Sequence, residues 1–589
     1  MRTLLLLLVL VGSGHPQDGI EIKKRSDYIT VKRDPNAGNH EIYTSMQEME
    51  QFFLEELEYV EDIRAIYDKK LISPEGKDKI AAYIQSFEDL IGEQEEDVSI
   101  VRNPLNAYNL LRHVAIGWAV VEEAVEEEKN KRGGTLGKRL QKVLSRRDKS
   151  HVPDETDVDG VARGIVRLHD YYRFNLTEFV NEGSFVLDGV RHETSGDLTV
   201  WDAFKIGVKG TNGLILGSGI NILEEALAKA NVDGVTTPVF VEKLDIQVLK
   251  NLIKTAKTVH DQKLDVWGDR TDVHSTNSHP YSKKLRKKKK FQKKIDQREK
   301  NIELGNPFIS SDQEMYQYMM MCRGVELRSV NVTSKLYCKY STGYNPTYKI
   351  GPLKVEIVSL SPYIVIIHDF IHDAEIKDII KTATPLLRRS EMVGTGINGS
   401  INDNRVSETA WLNETNSLSL GIMTDRISGF LNLNGTSAVS SELYQVVNYG
   451  LAGQYIHHFD AVLMDKSSIQ NRDVFNMAVG DRMVTIMGYL SDVESGGYTV
   501  FPAVGAIVKP RRGSVVLWWN MDKSGGYDQL VKHGGCPVMI GSKWITNKWI
   551  RSNEQMFRKP CPVYTRKQVR DFRNNPKQKL QKGEFFSEP

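Results

Sequence analysis

The sequence predicts a multidomain α + β protein, with helices filling the first half and a jelly roll of short strands the second. Three observations carry that expectation. The chain has 589 residues, too many for one hydrophobic core. Apolar residues recur at every third or fourth position up to about residue 262, and after Cys338 short β-branched and aromatic runs are broken by Gly and Pro.

At the N-terminus Arg2 precedes an apolar run, Leu4 to Val11, and then Gly12, Ser13 and Gly14. A basic start, a short apolar stretch and small residues predict a signal peptide over 1–16. That places the mature chain in an oxidising compartment. No later segment reaches ~18 uninterrupted apolar residues, so no membrane span is expected. A formal charge of +2 supplies no global field for nucleic acid.

Residues 18–44 lack periodicity. Ser45 and Glu48 then form a capping-box pattern ahead of Met46, Met49, Phe53, Leu57, Val60, Ile63 and Tyr67, one face of a long helix. Ser73-Pro74 opens a second, with Ile80, Ile84, Phe87 and Ile91 aligned, and a third runs from Pro104 to about Val125. Long helices with acidic outer faces over 40–130 suit a dimerisation region or a monomeric bundle. Residues 131–150, basic and Gly-containing, read as a linker. Helical patterns return over 155–262, where Val161–Tyr172, Val200–Lys209, Ile220–Ala230 and Val241–Val259 suit antiparallel helices of the kind that form an extended peptide groove. Residues 265–305, with the basic run Lys283 to Lys290, read as a flexible linker. Strands are expected at Tyr363–Ile367, Leu443–Tyr449, Met483–Leu490 and Val515–Trp519.

The four cysteines fall into two close couples along the chain, which favours Cys322–Cys338 and Cys536–Cys561 among three possible connectivities. Sequons at Asn175, Asn331, Asn398, Asn413 and Asn434 fit the same compartment and make each a glycosylation candidate.

The chemistry concentrates in Gln454-Tyr455-Ile456-His457-His458-Phe459-Asp460. In extended chain His458 and Asp460, two apart, point to one side. A His-x-Asp with one distant His is the facial triad of non-haem Fe(II) oxygenases, which leaves three coordination positions open. His533 is the distant ligand. Lys543, ten residues on, can pair with the far carboxylate of a 2-oxo acid. Alternation puts Lys543, Ile545, Asn547 and Trp549 on one strand face. His457 would face away from His458, as a surface residue or one supporting the ligands.

The stretch Tyr316 to Cys561 resembles the catalytic region of the collagen prolyl 4-hydroxylase alpha-subunit family. The resemblance rests on Met321-Cys322-Arg323-Gly324, His368-Asp369, Asp373-Ala374-Glu375-Ile376, Leu387-Arg388-Arg389, Arg405-Val406-Ser407 and Ala410-Trp411-Leu412. It continues through Gln445-Val446-Val447-Asn448-Tyr449-Gly450, Ser491-Asp492-Val493, Thr499-Val500-Phe501-Pro502, Cys536-Pro537-Val538 and Asn547-Lys548-Trp549. It implies a catalytic domain over 310–565 folded as a double-stranded β-helix, followed by a tail over 566–589.

The resemblance further implies iron held by His458, Asp460 and His533, and 2-oxoglutarate held by Lys543 and Tyr449 with Thr499 lining the pocket. Arg405, Glu442, Tyr455 and Arg482 would shape a peptide channel, and both cysteine couples match the family's disulfide positions. Arg551 stands where relatives commonly carry His. Asn103-Pro104, Asn106-Ala107 and Trp118 look like the family's dimerisation segment, and Arg167-Leu168-His169-Asp170-Tyr171-Tyr172 like the start of its tetratricopeptide-like peptide-binding domain. There Tyr172 is a retained aromatic, but Leu216-Gly217-Ser218-Gly219-Ile220 replaces the expected tyrosine-rich helix.

The implied activity is procollagen-proline 4-dioxygenase, using Fe(II), 2-oxoglutarate, O2 and ascorbate, in an alpha–alpha dimer within a tetramer with protein disulfide isomerase in the endoplasmic reticulum lumen. The rival readings are a dioxygenase for another secreted prolyl substrate and a non-catalytic peptide-binding subunit.

Overall fold

Local patterning explains where most helices start and stop. The computed structural model describes residues 42–560 apart from 68–73, 93–97, 148–151, 268–279, 288–301, 392–402, 463–477 and a few isolated positions. The expected signal peptide, most of the basic linker, the C-terminal tail, Asn398 and Cys561 lie outside the described residues. The N-terminal half is helical: α1 (Met46–Tyr67), α2 (Pro74–Ile91), α3 (Pro104–Arg132), α4 (Thr135–Arg147), α5 (Glu155–Tyr172), α6 (Leu176–Asn181), α7 (Val200–Asn212), α8 (Leu216–Asp233) and α9 (Ile246–Trp267). Asp154 caps α5, its side chain accepting from the Thr156 N–H, and Asp157 completes a capping box. No described helix is long and apolar enough to cross a membrane.

Two expectations need correction here. The segment 131–150 is not a plain linker: α3 runs on to Arg132 and α4 follows. In α4, Leu136, Leu140, Val143 and Leu144 recur at helical spacing, and Val143 is buried. Within the basic run, Lys283–Arg286 forms one helical turn that buries Leu285 beside Leu264 of α9. A hairpin of β1 (Ser184–Leu187) and β2 (Val190–Glu193), not expected from the sequence, follows α6.

The C-terminal half opens with α10 (Ser311–Cys322) and becomes antiparallel sheet. Its strands are β3 (Cys338–Ser341), β4 (Leu353–Leu360), β5 (Tyr363–His368), β6 (Arg388–Arg389), β7 (Arg405–Val406), β8 (Glu408–Leu412), β9 (Tyr444–Tyr449) and β10 (Gln454–His458). The remainder are β11 (Arg482–Tyr489), β12 (Ser495–Gly496), β13 (Thr499–Phe501), β14 (Ala506–Val508), β15 (Val515–Trp519), β16 (His533–Gly535), β17 (Val538–Ile540) and β18 (Lys543–Arg551). A nine-stranded sheet runs β3-β4-β5-β15-β11-β18-β9-β8-β6, and a five-stranded sheet runs β14-β13-β16-β10-β7. Their facing sides share a core that includes Val447, Met487, Phe501, Trp518 and Ile545, the layering of a jelly roll. The far face of the large sheet, with Ile486, Leu517 and Trp544, is covered by helices Asp373–Ala383 and Leu418–Leu431. Among the described residues, the far side of the small sheet has no separate core. Val406, Leu451, Val500 and Met539 belong to the same hydrophobic cluster as Ile165 and Tyr171 of α5 and Tyr318 of α10.

The cysteine pairing is also corrected. Cys322 is bonded to Cys536, with Cα atoms 5.5 Å apart and 214 residues between them. Cys338 lies exposed on the edge strand β3 and is unpaired among the described residues. Neither of the expected couples, Cys322–Cys338 or Cys536–Cys561, forms. Nearness along the chain favoured them, but α10 packs across the small sheet and carries Cys322 to the end of β16, which nearness cannot anticipate.

Candidate active site

Strand pairing brings the triad together. β10 and β16 are antiparallel neighbours with His458 directly opposite His533, and Asp460 follows two residues after His458. The ligand atoms of His458, Asp460 and His533 all lie within 4.8 Å of one another. Asp460 is 3.7 Å from His458 Nε2 through one carboxylate oxygen and 3.8 Å from His533 Nε2 through the other. Each ring is oriented by its own chain: His458 Nδ1 meets the Ile456 carbonyl at 2.9 Å, and His533 Nδ1 meets the Val531 carbonyl at 3.0 Å. Nδ1–H donation to a carbonyl fixes the tautomer that leaves Nε2 as a lone pair for a metal. Burial, and then the His533 ring beside it, hold His458 well below the usual imidazole range, so it is neutral and able to ligate. Burial works to raise the Asp460 carboxyl, but the two imidazoles, Arg482 and a hydroxyl outweigh it and keep it ionised. That hydroxyl is Thr485 Oγ1, which donates to Asp460 Oδ2 at 2.6 Å and accepts from Asn520 Nδ2 at 2.8 Å. Two imidazoles and one carboxylate on one side of an open space suit Fe(II).

Deeper in the cleft, β18 pairs with β9 so that Lys543 lies opposite Tyr449. Lys543 is 2% exposed and its Nζ donates to Thr499 Oγ1 at 3.2 Å. The ammonium sits 5.5 Å from the Tyr449 ring centre and 5.7 Å from that of Tyr489. Tyr489 donates its hydroxyl to Thr499 at 2.8 Å. Burial lowers the Lys543 pKa to about 7. No carboxylate pairs with Lys543 among the described residues, and its side chain lines the cleft. Tyr449, Thr499 and Lys543 thus stand together in one cleft.

The mouth carries stacked cations. Arg405 lies over the Tyr455 ring at 4.8 Å, and Tyr455 stacks on His458 at 3.7 Å. Arg482 lies over Trp549 at 3.8 Å, and Trp549 leans toward the half-exposed Trp411 at 6.2 Å. Glu442 accepts two hydrogen bonds from Arg482, at 2.6 and 2.7 Å. Arg551 approaches the same carboxylate at 2.8 Å and donates to the Gly480 carbonyl at 2.9 Å. Arg551 is therefore committed to Glu442 and the chain, and as a guanidinium it only donates, where a neutral imidazole could accept. Lys543, Ile545, Asn547 and Trp549 all line this cleft of about 810 Å³, as strand alternation predicts. His457 faces away from the cleft, 3.2 Å from Glu314 and beside Tyr318 of α10.

Tyr172 is a correction. Its ring is buried and its hydroxyl donates to the Pro537 carbonyl, so it presents no stacking surface to a peptide. Of the sequons, Asn175 caps α6, Asn413 and Asn434 accept bonds from backbone N–H groups two residues on, and Asn331 is exposed.

The profile described as the N-terminal region of the prolyl 4-hydroxylase alpha subunit matches residues 45–184, and that of the 2OG-Fe(II) oxygenase superfamily matches 444–551. The prolyl 4-hydroxylase subunit alpha-1 of Bos taurus is 31% identical over 482 residues, covering 79% of this chain and 85% of the relative. The chain belongs to the prolyl 4-hydroxylase alpha-subunit family. The family's subunit alpha-2 from Gallus gallus is 28% identical over 537 residues, 88% of this chain and 95% of that one. Among solved structures, the viral collagen prolyl hydroxylase of Paramecium Bursaria Chlorella virus-1 in its 2OG complex is 25% identical, with a TM-score of 0.25, covering 32% of this chain and 96% of that one.

Several residues of this site escaped the sequence reading: Thr485 and Asn520 behind Asp460, Tyr489 behind Thr499, and Trp518, whose ring lies 4.6 Å from that of His533. A signal existed for two of them. Along β11, Thr485, Met487 and Tyr489 alternate with the core residues Val484 and Ile486.

Proposed function

We propose that this chain is the catalytic subunit of a procollagen-proline 4-dioxygenase. The observation that carries the reading is one cleft holding the His458, Asp460 and His533 donor atoms within 4.8 Å, with the buried Lys543 in the same cleft. His458, Asp460 and His533 would hold Fe(II), which when bound supplies the redox chemistry coupling 2-oxoglutarate decarboxylation to insertion of one oxygen atom of O2 into a C–H bond. The balanced outcome is succinate, carbon dioxide and 4-hydroxyproline from 2-oxoglutarate, O2 and peptidyl-proline.

The protein's own groups bind and orient. Lys543 neutralises the distal carboxylate of 2-oxoglutarate, with Thr499 and Tyr449 fixing its position. Thr485 holds Asp460 so that both imidazoles can reach the same ion. Arg405 on Tyr455 and Arg482 on Trp549 form the walls against which an extended peptide lies, and Glu442 keeps Arg482 in place. Ascorbate would return iron oxidised in uncoupled turnovers to the ferrous state. The wider assembly belongs to the same reading: an alpha–alpha dimer through the helices of 40–130, a tetratricopeptide-like domain over 155–262, protein disulfide isomerase as partner and the endoplasmic reticulum lumen as location.

The burial of Tyr172 favours a second reading on one point. With that ring committed, substrate choice rests on the cleft, which admits secreted prolyl substrates other than collagen. The test is 2-oxoglutarate decarboxylation by the full chain with its partner, with and without Fe(II), on a Pro-Pro-Gly repeat peptide and on non-collagen proline peptides. Iron-dependent turnover stimulated by the repeat peptide is expected. Stimulation by the other peptides alone would move the assignment to a different prolyl substrate.

A further inference from the structure

The two metal-bearing strands are reached from behind by one helix of the N-terminal half. β9 ends at Tyr449 and β10 begins at Gln454, so the turn Gly450–Gly453 sets how the 2-oxoglutarate residue Tyr449 stands relative to Tyr455 and His458. Ala452 in that turn has φ of +51°, a left-handed conformation that a residue with a Cβ adopts only when its surroundings impose it. Those surroundings include α5. Arg167, 4% exposed, donates to the Ala452 carbonyl at 3.0 Å and lies 3.5 Å from Asp403, two residues before Arg405. Gly164, one turn earlier on α5, comes so close that an added Cβ would lie 3.0 Å from the Ala452 Cβ.

The same helix reaches the other ligand strand. Tyr172, at its C-terminal end, donates its hydroxyl to the Pro537 carbonyl, four residues after His533. The two anchored segments are themselves tied, since Ala452 N–H donates to the Val538 carbonyl and Val538 N–H to the Gly453 carbonyl, both at 3.0 Å. α10 completes the support: Tyr318 packs edge-on against Tyr171 and donates to the Gly535 carbonyl at 3.1 Å.

We propose that α5 is an integral part of the dioxygenase site, with Arg167 and Tyr172 acting as positioning residues for the strands that carry His458 and His533. Arg167 holds the entry to β10 and Tyr172 the exit from β16, so a shift of the helical half is transmitted to both imidazoles and to Tyr449. The aromatic that the family resemblance assigns to peptide capture is thereby used to hold the catalytic strands.

This inference rests on the reading of the cleft as an iron and 2-oxoglutarate site. The experiment is an anaerobic titration of the full-length chain with Fe(II) and then 2-oxoglutarate, followed by the visible charge-transfer absorption of the chelate, alongside thermal melting. Arg167→Ala should weaken 2-oxoglutarate binding about tenfold, the size expected for loss of one hydrogen bond from a charged group. Arg167→Lys, which keeps a donor near the Ala452 carbonyl, should recover most of it. Tyr172→Phe, which removes one hydroxyl, should weaken iron binding severalfold.

Gly164→Ala separates positioning from simple stability. Alanine favours a helix over glycine, so a merely structural role predicts equal or better melting with unchanged binding. Positioning predicts roughly threefold weaker 2-oxoglutarate binding from a well-folded protein, because the added methyl presses on the turn. If Arg167→Ala does not fold, Gly164→Ala and Tyr172→Phe decide. A normal wild-type band with variants binding within twofold of wild type overturns the proposal alone, whereas no band from the wild type overturns the site reading beneath it.

Discussion

At the inner end of the cleft Asp460, His533, Thr499 and Lys543 are buried and each is held by a hydrogen bond to a fixed partner. At the mouth Arg482 lies against Trp549, and Trp411 stands 46% exposed. The contrast separates two kinds of chemistry. The inner end takes charge out of water, so each ionic contact there is strong and each missing partner is expensive. The mouth lays its guanidiniums over flat rings, with Arg482 also paired to Glu442, so each stacking contact contributes modestly and tolerates variation in what it binds.

The comparison breaks most visibly at the metal. His458→Ala should abolish measurable Fe(II) binding and turnover, well beyond the roughly 10–100-fold that loss of a supporting residue costs. Retained iron stoichiometry in that variant would remove the triad assignment. Lys543→Ala comes next. It leaves a buried carboxylate of the ligand unpaired, a loss of about 3–5 kcal/mol. The 2-oxoglutarate Kd should therefore rise by roughly 10²–10⁴, with iron affinity little changed in a metal titration.

Thr485→Val tests support at the inner end. Removing the hydroxyl that steadies Asp460 should weaken iron about 10–100-fold, read by metal competition, and lower melting modestly because Asn520 loses its acceptor. The pH dependence follows from Lys543. With its pKa lowered to about 7 in the empty pocket, the amine is charged below pH 7 and neutral above it. Binding the dianion needs the ammonium, so 2-oxoglutarate affinity should be full below pH 7 and fall as pH rises, approaching tenfold per unit. Affinity flat from pH 6 to 9 in calorimetry would mean the group is already charged throughout. The smallest effect belongs to the mouth: Trp411→Ala should raise the peptide KM roughly threefold and leave the 2-oxoglutarate KM unchanged. A matching rise in the 2-oxoglutarate KM would show that the two ends are not separable.

How much was legible beforehand depends on sequence separation. The spacing of His458 and Asp460, the common face of Lys543, Ile545, Asn547 and Trp549, and the long helices from Met46 onward follow from periods of two or of three to four residues, which the backbone imposes locally. The helix at Thr135–Arg147 carried that signal too, but its basic residues and Gly137 masked it. Thr485 could have been reached by the same alternation along β11, although nothing local tells a threonine supporting a ligand from one filling a core.

The sequence alone thus determined the residue types, the element periods and the donor set, because these are properties of neighbouring residues. Only the tertiary structure decided that Cys322 bonds Cys536 and that Tyr172 holds Pro537. It also decided that a helix residue 285 positions upstream, Arg167, bonds the turn before His458. The physical reason is that hydrophobic burial is non-directional and sums over the whole surface. Which face of α5 and α10 covers the small sheet is settled by the packing of both halves together, and no short window of residues contains that choice.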